Sequence, residues 1–305
     1  MPRAREAGSE EAARLPNGLA DFAGILLGGV SAGTVLFIVS VGLSVTMGLM
    51  GFVNLAHGAF AMFGGYVIAL AMNRVHLGFA AALALGFAAT AAVSAILERL
   101  LYRRLYRAGE LDQVLLTIGL IFIFIAGITM VVGPESQPLR LPPALQGQLN
   151  LGFMQYRTYS VFLIMVGVLI VTAIWLVFDH TLIGTRIRAT VDNRGMAESL
   201  GINVDRLFTI TFAFGSGMAA LGGGLGAEFL GLDPQYALKY LVYFLIAVSV
   251  GGLGSIAGVY SASLLIGVLD FVLKFYLPEG GTIFIYALTI LLLLWRPQGL
   301  GRKET

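Results

Sequence analysis

Asn54 and His57 stand three residues apart inside GLMGFVNLAHGAFAMFGGY, residues 48–66, a run with no Asp, Glu, Lys or Arg. An amide and an imidazole in such apolar surroundings must find a partner or a wet cavity, because an unpaired polar group is costly in hydrocarbon. Gly51 and Gly58 flank the pair and permit a broken or kinked helix. Two readings stand open. The segment lines a substrate path and exposes backbone groups for binding, or it is a helix contact in which both side chains satisfy neighbouring carbonyls. A second cluster lies in 179–206, DHTLIGTRIRATVDNRGMAESLGINVDR, which mixes four Arg with four acidic residues. Its core, Asn193 to Leu200, reads as a short amphipathic helix stopped by Gly201. Met196, Leu200 and Ile202 then become apolar anchors for a groove on a soluble partner.

Other chemistry finds no residues to carry it. His57, His76 and His180 are far apart and form no i,i+4 metal pair, and the chain has no cysteine. No metal site, catalytic constellation or resident cofactor is therefore expected. No G-x-x-x-x-G-K-[ST] occurs, so ATP hydrolysis is not expected on this chain. Gly251, Gly252, Gly254 and Gly258 lack the GxGxxG spacing and a βαβ context, and read instead as a helix break. Asp270 and Lys274, one helical turn apart, are expected to pair near the outer end of their helix. Glu228 and Asp233 read as exposed charges at an outer helix end, and Trp295 as an interfacial anchor.

The elements that position these residues follow from the charge distribution. Of 305 residues only 12% are charged, 58% are apolar and 40 are glycine, with a mean hydropathy of +0.88. No water-soluble globule of this size hides that much apolar surface. The net charge of +2 argues against a nucleic-acid partner. Stretches free of charge run over 22–73, 75–97, 113–134, 158–178, 207–227, 240–269 and 280–295. A crossing helix needs about 20 mostly apolar residues. The prediction is thus an all-α polytopic membrane protein with eight or nine transmembrane helices, some broken by glycine, and the lipid bilayer as its solvent. Arg99, Arg103, Arg104 and Arg107, the four Arg of 179–206, and Arg296, Arg302 and Lys303 mark three cytoplasmic regions. Residues 135–157, with three prolines and only two Arg, suit the outside. Parity from a cytoplasmic 179–206 to a cytoplasmic C-terminus requires that 240–274 cross twice or dip and return, with its break at SVGGLGSIAG, Ser249 to Gly258. If 22–73 crosses twice, the same counting puts the N-terminus outside, whereas Arg3, Arg5 and Arg14 favour the other side, and the sequence leaves the two open. Within a single permease domain, 21–297, the small residues Gly215, Ala219 and Gly223, and Gly222 with Gly226, form packing ladders. Residues 1–20 form a polar leader without a secretory signal, and 298–305 a cytoplasmic tail.

At these motifs the sequence resembles the LivH-type permeases of ABC importers for branched-chain amino acids. GLMGFVNLAHGAFAMFGGY is similar to the family's G-x-x-N-x-A-H-G segment. RATVDNRGMAESLGINVDRLFTITFAFGSGMAALGGGL resembles its cytoplasmic coupling loop and the helix after it, and SVGGLGSIAG with LLLLWRPQGLGRKE completes the order. The resemblance covers residue 25 to the C-terminus and leaves 1–20 without a counterpart. It implies an inner-membrane subunit of a bacterial importer, not itself an enzyme. It also implies a substrate path near Gly51, Asn54, His57 and Gly58, and a LivM-like second permease or a second copy as partner. Two cytoplasmic ATPase subunits would bind ATP and Mg, and an external binding protein would deliver substrate. The docking helix is carried over onto Ala197, Leu200, Gly201 and Ile202. The importer pattern E-A-A-x-x-x-G is met only by Ala197 and Gly201; Gly195 stands where the pattern has Glu, leaving Arg194 and Glu198 as the charged residues for docking. Urea, short amides and small organic acids are the alternative substrates within that class. A stand-alone secondary transporter would want inverted repeats and a free intramembrane carboxylate, and Asp270 is expected to be neutralised by Lys274.

Overall fold

A computed structural model describes residues 19–51, 53–106, 108–150, 155–276, 281–295 and 299–301. The leader up to residue 18, most of the tail and the Trp295 side chain lie outside the described residues. The chain forms α1 (Leu19–Met50), α2 (His57–Asn73) and α3 (Phe79–Leu97), which continues through a π-helical turn (Glu98–Tyr102) into α4 (Arg103–Leu105). Next come α5 (Glu110–Val131), α6 (Thr158–His180), α7 (Leu182–Asp192), α8 (Arg194–Ser199) and α9 (Val204–Leu230). The last are α10 (Tyr236–Gly251), α11 (Ile256–Tyr276) and α12 (Gly281–Trp295). A short antiparallel hairpin, β1 (Gln148–Asn150) with β2 (Gln155–Arg157), pairs Leu149 with Tyr156 in the connection before α6.

Among the described residues, six helical segments are long and apolar enough to cross a membrane: Phe22–Met50, Phe79–Leu105, Glu110–Val131, Thr158–His180, Val204–Leu230 and Ile256–Tyr276. The uncharged stretch 22–73 holds two helices, as its length demands, and 240–274 also divides in two. Its divide is at Gly252 and Gly254, with φ of 90° and 76°. L-residues with side chains rarely adopt that conformation, so glycine sets the position of the break.

α1 is apolar all round and correspondingly central, with Phe37, Ile38, Val39, Val41 and Leu43 fully buried. It runs antiparallel to α9 and α11. Val35 meets Gly226, Val39 meets Gly222 and Gly42 meets Gly215, while Gly33 lies against Ser263 and Leu264, and Gly48 against Gly254. Both small-residue ladders meet α1, the first through Gly215, and they part only at Gly223. Gly222 and Gly226 admit α1, and Gly223 admits α2, whose Ala61 carbonyl occupies the space a side chain would need. Close approach of backbones replaces the hydrophobic drive that helices lack in lipid. α5 and α6 instead turn Phe122, Ile123, Met130, Met165, Leu169 and Trp175 outward, as helices facing acyl chains do. Gly119 and Gly127 on α5 have nothing within 4 Å of an added Cβ.

The arginine-rich segments gather at one end of the bundle. There Leu49 of α1, Ile187, Ala197, Val204, Leu207 and Phe208 form a buried cluster. The returning chain also closes this end, through Leu300 N–H to Val250 O at 2.7 Å and Gly301 N–H to Gly251 O at 3.1 Å. At the far end, Gln137 N–H and Ser136 Oγ donate to Leu232 O, and Arg157 pairs with Glu228 at 2.8 Å.

Candidate functional site

Between α1 and α2 the chain leaves the helical path. Gly51, at φ 74°, ends α1, and its N–H reaches Met47 O. Asn54 then turns the backbone, its Oδ1 accepting from Ala56 N–H at 3.2 Å and from the Tyr102 hydroxyl at 3.0 Å. His57 begins α2, and its Nε2 lies 2.9 Å from Val39 O. A carbonyl only accepts, so Nε2 carries the proton. Val39 is eleven residues up α1 from Met50, about 16 Å at 1.5 Å per residue. α2 therefore starts at mid-bundle rather than at the arginine-rich end. Gly58 lets α2 pass Ala237, whose carbonyl oxygen would lie 2.8 Å from an added Cβ. Of the four residues expected here, Asn54 and His57 are buried and Gly58 is packed, while Gly51 is exposed. Both polar side chains satisfy neighbours, as the contact reading requires. Each also retains one nitrogen, Asn54 Nδ2 and His57 Nδ1, without a protein partner.

The segment 179–206 contains two helices rather than one. Two caps fix them, Thr181 accepting from Gly184 N–H and Asn193 from Met196 N–H at 2.9 Å, and a third, Asn203 accepting from Arg206 N–H at 2.9 Å, starts α9. α7 was not expected; its signal is the apolar spacing of Ile183, Ile187 and Val191. α8 ends at Gly201, φ 84°, whose N–H bonds Glu198 O, while Ile202 N–H bonds Ala197 O at 3.0 Å. The expected residues come together as a compact knob. Ala197 is buried in the apolar cluster and Ile202 packs beside it. Arg194 and Glu198 pair with each other at 3.0 Å. Met196 and Leu200 project outward, 59% and 73% exposed, although they are apolar.

A line of polar contacts runs from this knob into the bundle. Arg194 reaches Asp205 at 3.6 Å and stacks over Phe208. Asp205 reaches Arg103 at 3.5 Å, and Arg103 lies 3.9 Å from Glu98. Glu98, fully buried, accepts from the Tyr106 hydroxyl at 2.7 Å and from Thr209 Oγ1 at 2.6 Å. Burial, then the hydrogen bond to Glu98 and its charge, push the Tyr106 phenol up, so it remains the donor. Tyr102, in the same π-helical turn, holds Asn54. One chain of contacts thus joins α8 to the break before α2.

Sequence reasoning missed Glu98, Tyr102, Arg103 and Tyr106 by reading 98–112 as an arginine-rich loop. The segment is helical as far as Leu105. The available signal was the i, i+4, i+8 spacing of Glu98, Tyr102 and Tyr106, one helix face. The π-helical turn carries Glu98 and Tyr102 inward, a use of such turns found often at functional sites. Among the described residues no group of three His, Asp or Glu could hold a metal ion.

Comparison with known proteins agrees with this architecture over most of its length. Residues 25–293 match the family model described as branched-chain amino acid transport system / permease component. The high-affinity branched-chain amino acid transport system permease protein LivH of Escherichia coli (strain K12) is 29% identical, covering 92% of this chain and 95% of the relative. BraD of Pseudomonas aeruginosa, a permease protein of the same description, is 28% identical over the same shares. LivM of Salmonella typhimurium is 27% identical, covering 87% of this chain and 67% of the relative. No solved structure matches the chain significantly. With a family match spanning nearly the whole helical bundle, the chain belongs to the branched-chain amino acid transport system / permease component family, as a multi-pass, all-helical membrane permease.

Proposed function

We propose that the chain is the membrane-spanning permease subunit of a bacterial ABC importer for branched-chain amino acids, set in the inner membrane. A LivM-like second permease completes the path, two cytoplasmic ATPase subunits bind ATP and Mg and dock on α8, and an external binding protein delivers substrate. The six long helices and the shorter α2, α10 and α12, of 17, 16 and 15 residues, then make nine passages, with the N-terminus outside. Permease relatives whose names specify branched-chain amino acids support the substrate class. The observation that carries the coupling role is the knob of α8. It presents exposed Met196 and Leu200, seats Ala197 in the transmembrane cluster, and is tied by Arg194 and Asp205 to Arg103 and buried Glu98. A rigid link of this kind is what ATP-driven movement at the surface needs to reach the break at 51–56. Asn54 and His57 hold the shape of that break beside the path, and Gly51 and Gly58 supply its sharp turn and close packing.

Two substitutions check this reading. Gly201→Val forces a β-branched residue into the left-handed region, at a cost of about 1–2 kcal/mol. The expected result is about a tenfold rise in ATP hydrolysed per leucine imported, with the permease still in the membrane. Normal coupled uptake would remove α8 from the docking role. Asn54→Leu with His57→Phe should reduce uptake and leave co-purification with the ATPases intact. Unchanged uptake kinetics would assign both residues to packing alone.

A further inference from the structure

Far from α8, at the opposite end of the bundle, α10, α11 and α12 open a cleft against α1 and the end of α9, with a volume of about 310 Å³. That lies at the small end of the range for ligand pockets. Its inner wall is apolar, made by Leu36, Phe244 and Ile266. Its mouth holds Lys239, Asp270 and Lys274 among the rings of Tyr240, Tyr243 and Tyr286. Asp270 is shielded, its side chain 17% exposed, and is held from two helices. Lys274 Nζ lies 2.8 Å from one carboxylate oxygen, and the Tyr243 hydroxyl donates to the other at 3.2 Å. The two lysines are half-exposed; Lys239 lies over the Tyr240 ring and only 4.0 Å from Asp233, and Lys274 lies 6.0 Å from the Tyr243 ring centroid.

We infer that this cleft is a binding site for a free zwitterionic α-amino acid with an aliphatic side chain, met after release from the delivering protein. The inference rests on the permease reading above and names a site within it. The chain spends no charge over 240–269 and then places opposite charges one turn apart on a membrane helix. An i,i+4 ion pair on a helix surface contributes only about 0.2–0.5 kcal/mol, whereas charge within a membrane layer is costly and is usually functional. The pair also lines the cleft. A zwitterion matches it by exchange. Its ammonium takes the Asp270 oxygen now held by Lys274, the freed Lys274 takes its carboxylate, and its aliphatic chain lies on Leu36, Phe244 and Ile266. Lys239 is already shared with Asp233, so the cation freed by the exchange is Lys274; an amine without a carboxylate would take Asp270 and leave Lys274 unpaired, and is rejected.

The test uses the full complex in two formats: binding of labelled leucine to the detergent-purified complex without its binding protein, and leucine uptake in proteoliposomes with saturating loaded binding protein. Excess unlabelled leucine should displace the label, and leucine amide, which lacks the carboxylate, should not. Asp270→Asn and Lys274→Gln should each weaken binding and slow uptake at least about tenfold, the scale of one lost charged contact. The exchanged variant, Asp270→Lys with Lys274→Asp, restores an ion pair but reverses its polarity, and should remain as defective as the single variants. Recovery of uptake in the exchanged variant would show a merely structural pair and overturn the site, as would equal competition by leucine amide. Wild-type uptake by Asp270→Asn would overturn the site while leaving the permease reading standing. A wild-type complex that imports no amino acid would overturn both.

Discussion

Replacing Glu98 by alanine is expected to abolish coupled uptake, to about one-hundredth of wild type or less. Glu98 is fully buried and serves four groups: the hydroxyls of Tyr106 and Thr209, the guanidinium of Arg103 and, through Arg103, Asp205. Truncating it takes the charged acceptor from the Tyr106 and Thr209 hydroxyls, about 1–3 kcal/mol for each, while Arg103, 38% exposed, keeps Asp205. The exposed links farther out, Arg103 to Asp205 and Arg194 to Asp205, are each worth only about 0–1 kcal/mol. The chain of contacts is therefore strongest where it enters the bundle. Glu98→Gln keeps the shape and one acceptor oxygen, and should lose less, in the range of about 1–3 kcal/mol for a mismatched buried hydrogen bond. Asp205→Asn should leave thermal stability close to wild type and still raise ATP consumption per substrate imported. Thermal unfolding of the assembled complex, read beside uptake and ATP hydrolysis, separates these cases. Wild-type stability and uptake in Glu98→Ala would remove the buried contacts from both roles.

Gly223→Val should prevent the permease from assembling. A side chain at Gly223 falls on the Ala61 carbonyl of α2, and the neighbouring Gly222 and Gly226 are already filled by Val39 and Val35 of α1. α9 is thus clamped between two helices and cannot shift away from one without striking the other. Overpacking in a well-filled core costs about 1–3 kcal/mol or more when backbone must move. Here the obstructing atom is backbone, so the upper part of that range applies. The matched control is Gly119→Val on α5, where an added Cβ meets nothing within 4 Å. That variant should accumulate in the membrane and unfold at the wild-type temperature. Equal behaviour of the two variants, measured by detergent size-exclusion profile and thermal unfolding, would contradict the clamped arrangement.

The sequence was most legible where the physics is one-dimensional. Charge-free runs such as 113–134, 158–178 and 207–227 are matched by α5, α6 and α9 to within a few residues, because the hydrocarbon layer admits little else. The break at Gly252 and Gly254 was legible because few residues other than glycine take positive φ. The end of α8 at Gly201 was legible for the same local reason, whereas Asn193, read as the first helical residue, is its N-cap. What stayed hidden depended on partners distant in sequence. Glu98 looks like the first residue of a charged loop until Thr209, 111 positions away, is seen beside it. Its helix continues through Arg99, Arg103 and Arg104 because long arginine side chains can reach outward while their stems cover apolar surface. The two readings of Asn54 and His57 could not be separated without knowing that Tyr102 and the Val39 carbonyl were within reach. Asp270 and Lys274 were correctly paired from their spacing, but the cleft around them comes from α1, α10 and α12, which a sequence window does not contain.

The central claim is that this chain passes amino acids across the membrane only as one part of an ATP-driven assembly. The direct test is uptake of labelled leucine into proteoliposomes carrying this chain, its second permease and the two ATPase subunits, with binding protein outside and MgATP inside. Uptake is expected, and is expected to stop when any one of these components, or MgATP, is left out. Leucine entry that continues without the ATPases, or that follows an imposed ion gradient instead of ATP, would contradict that claim.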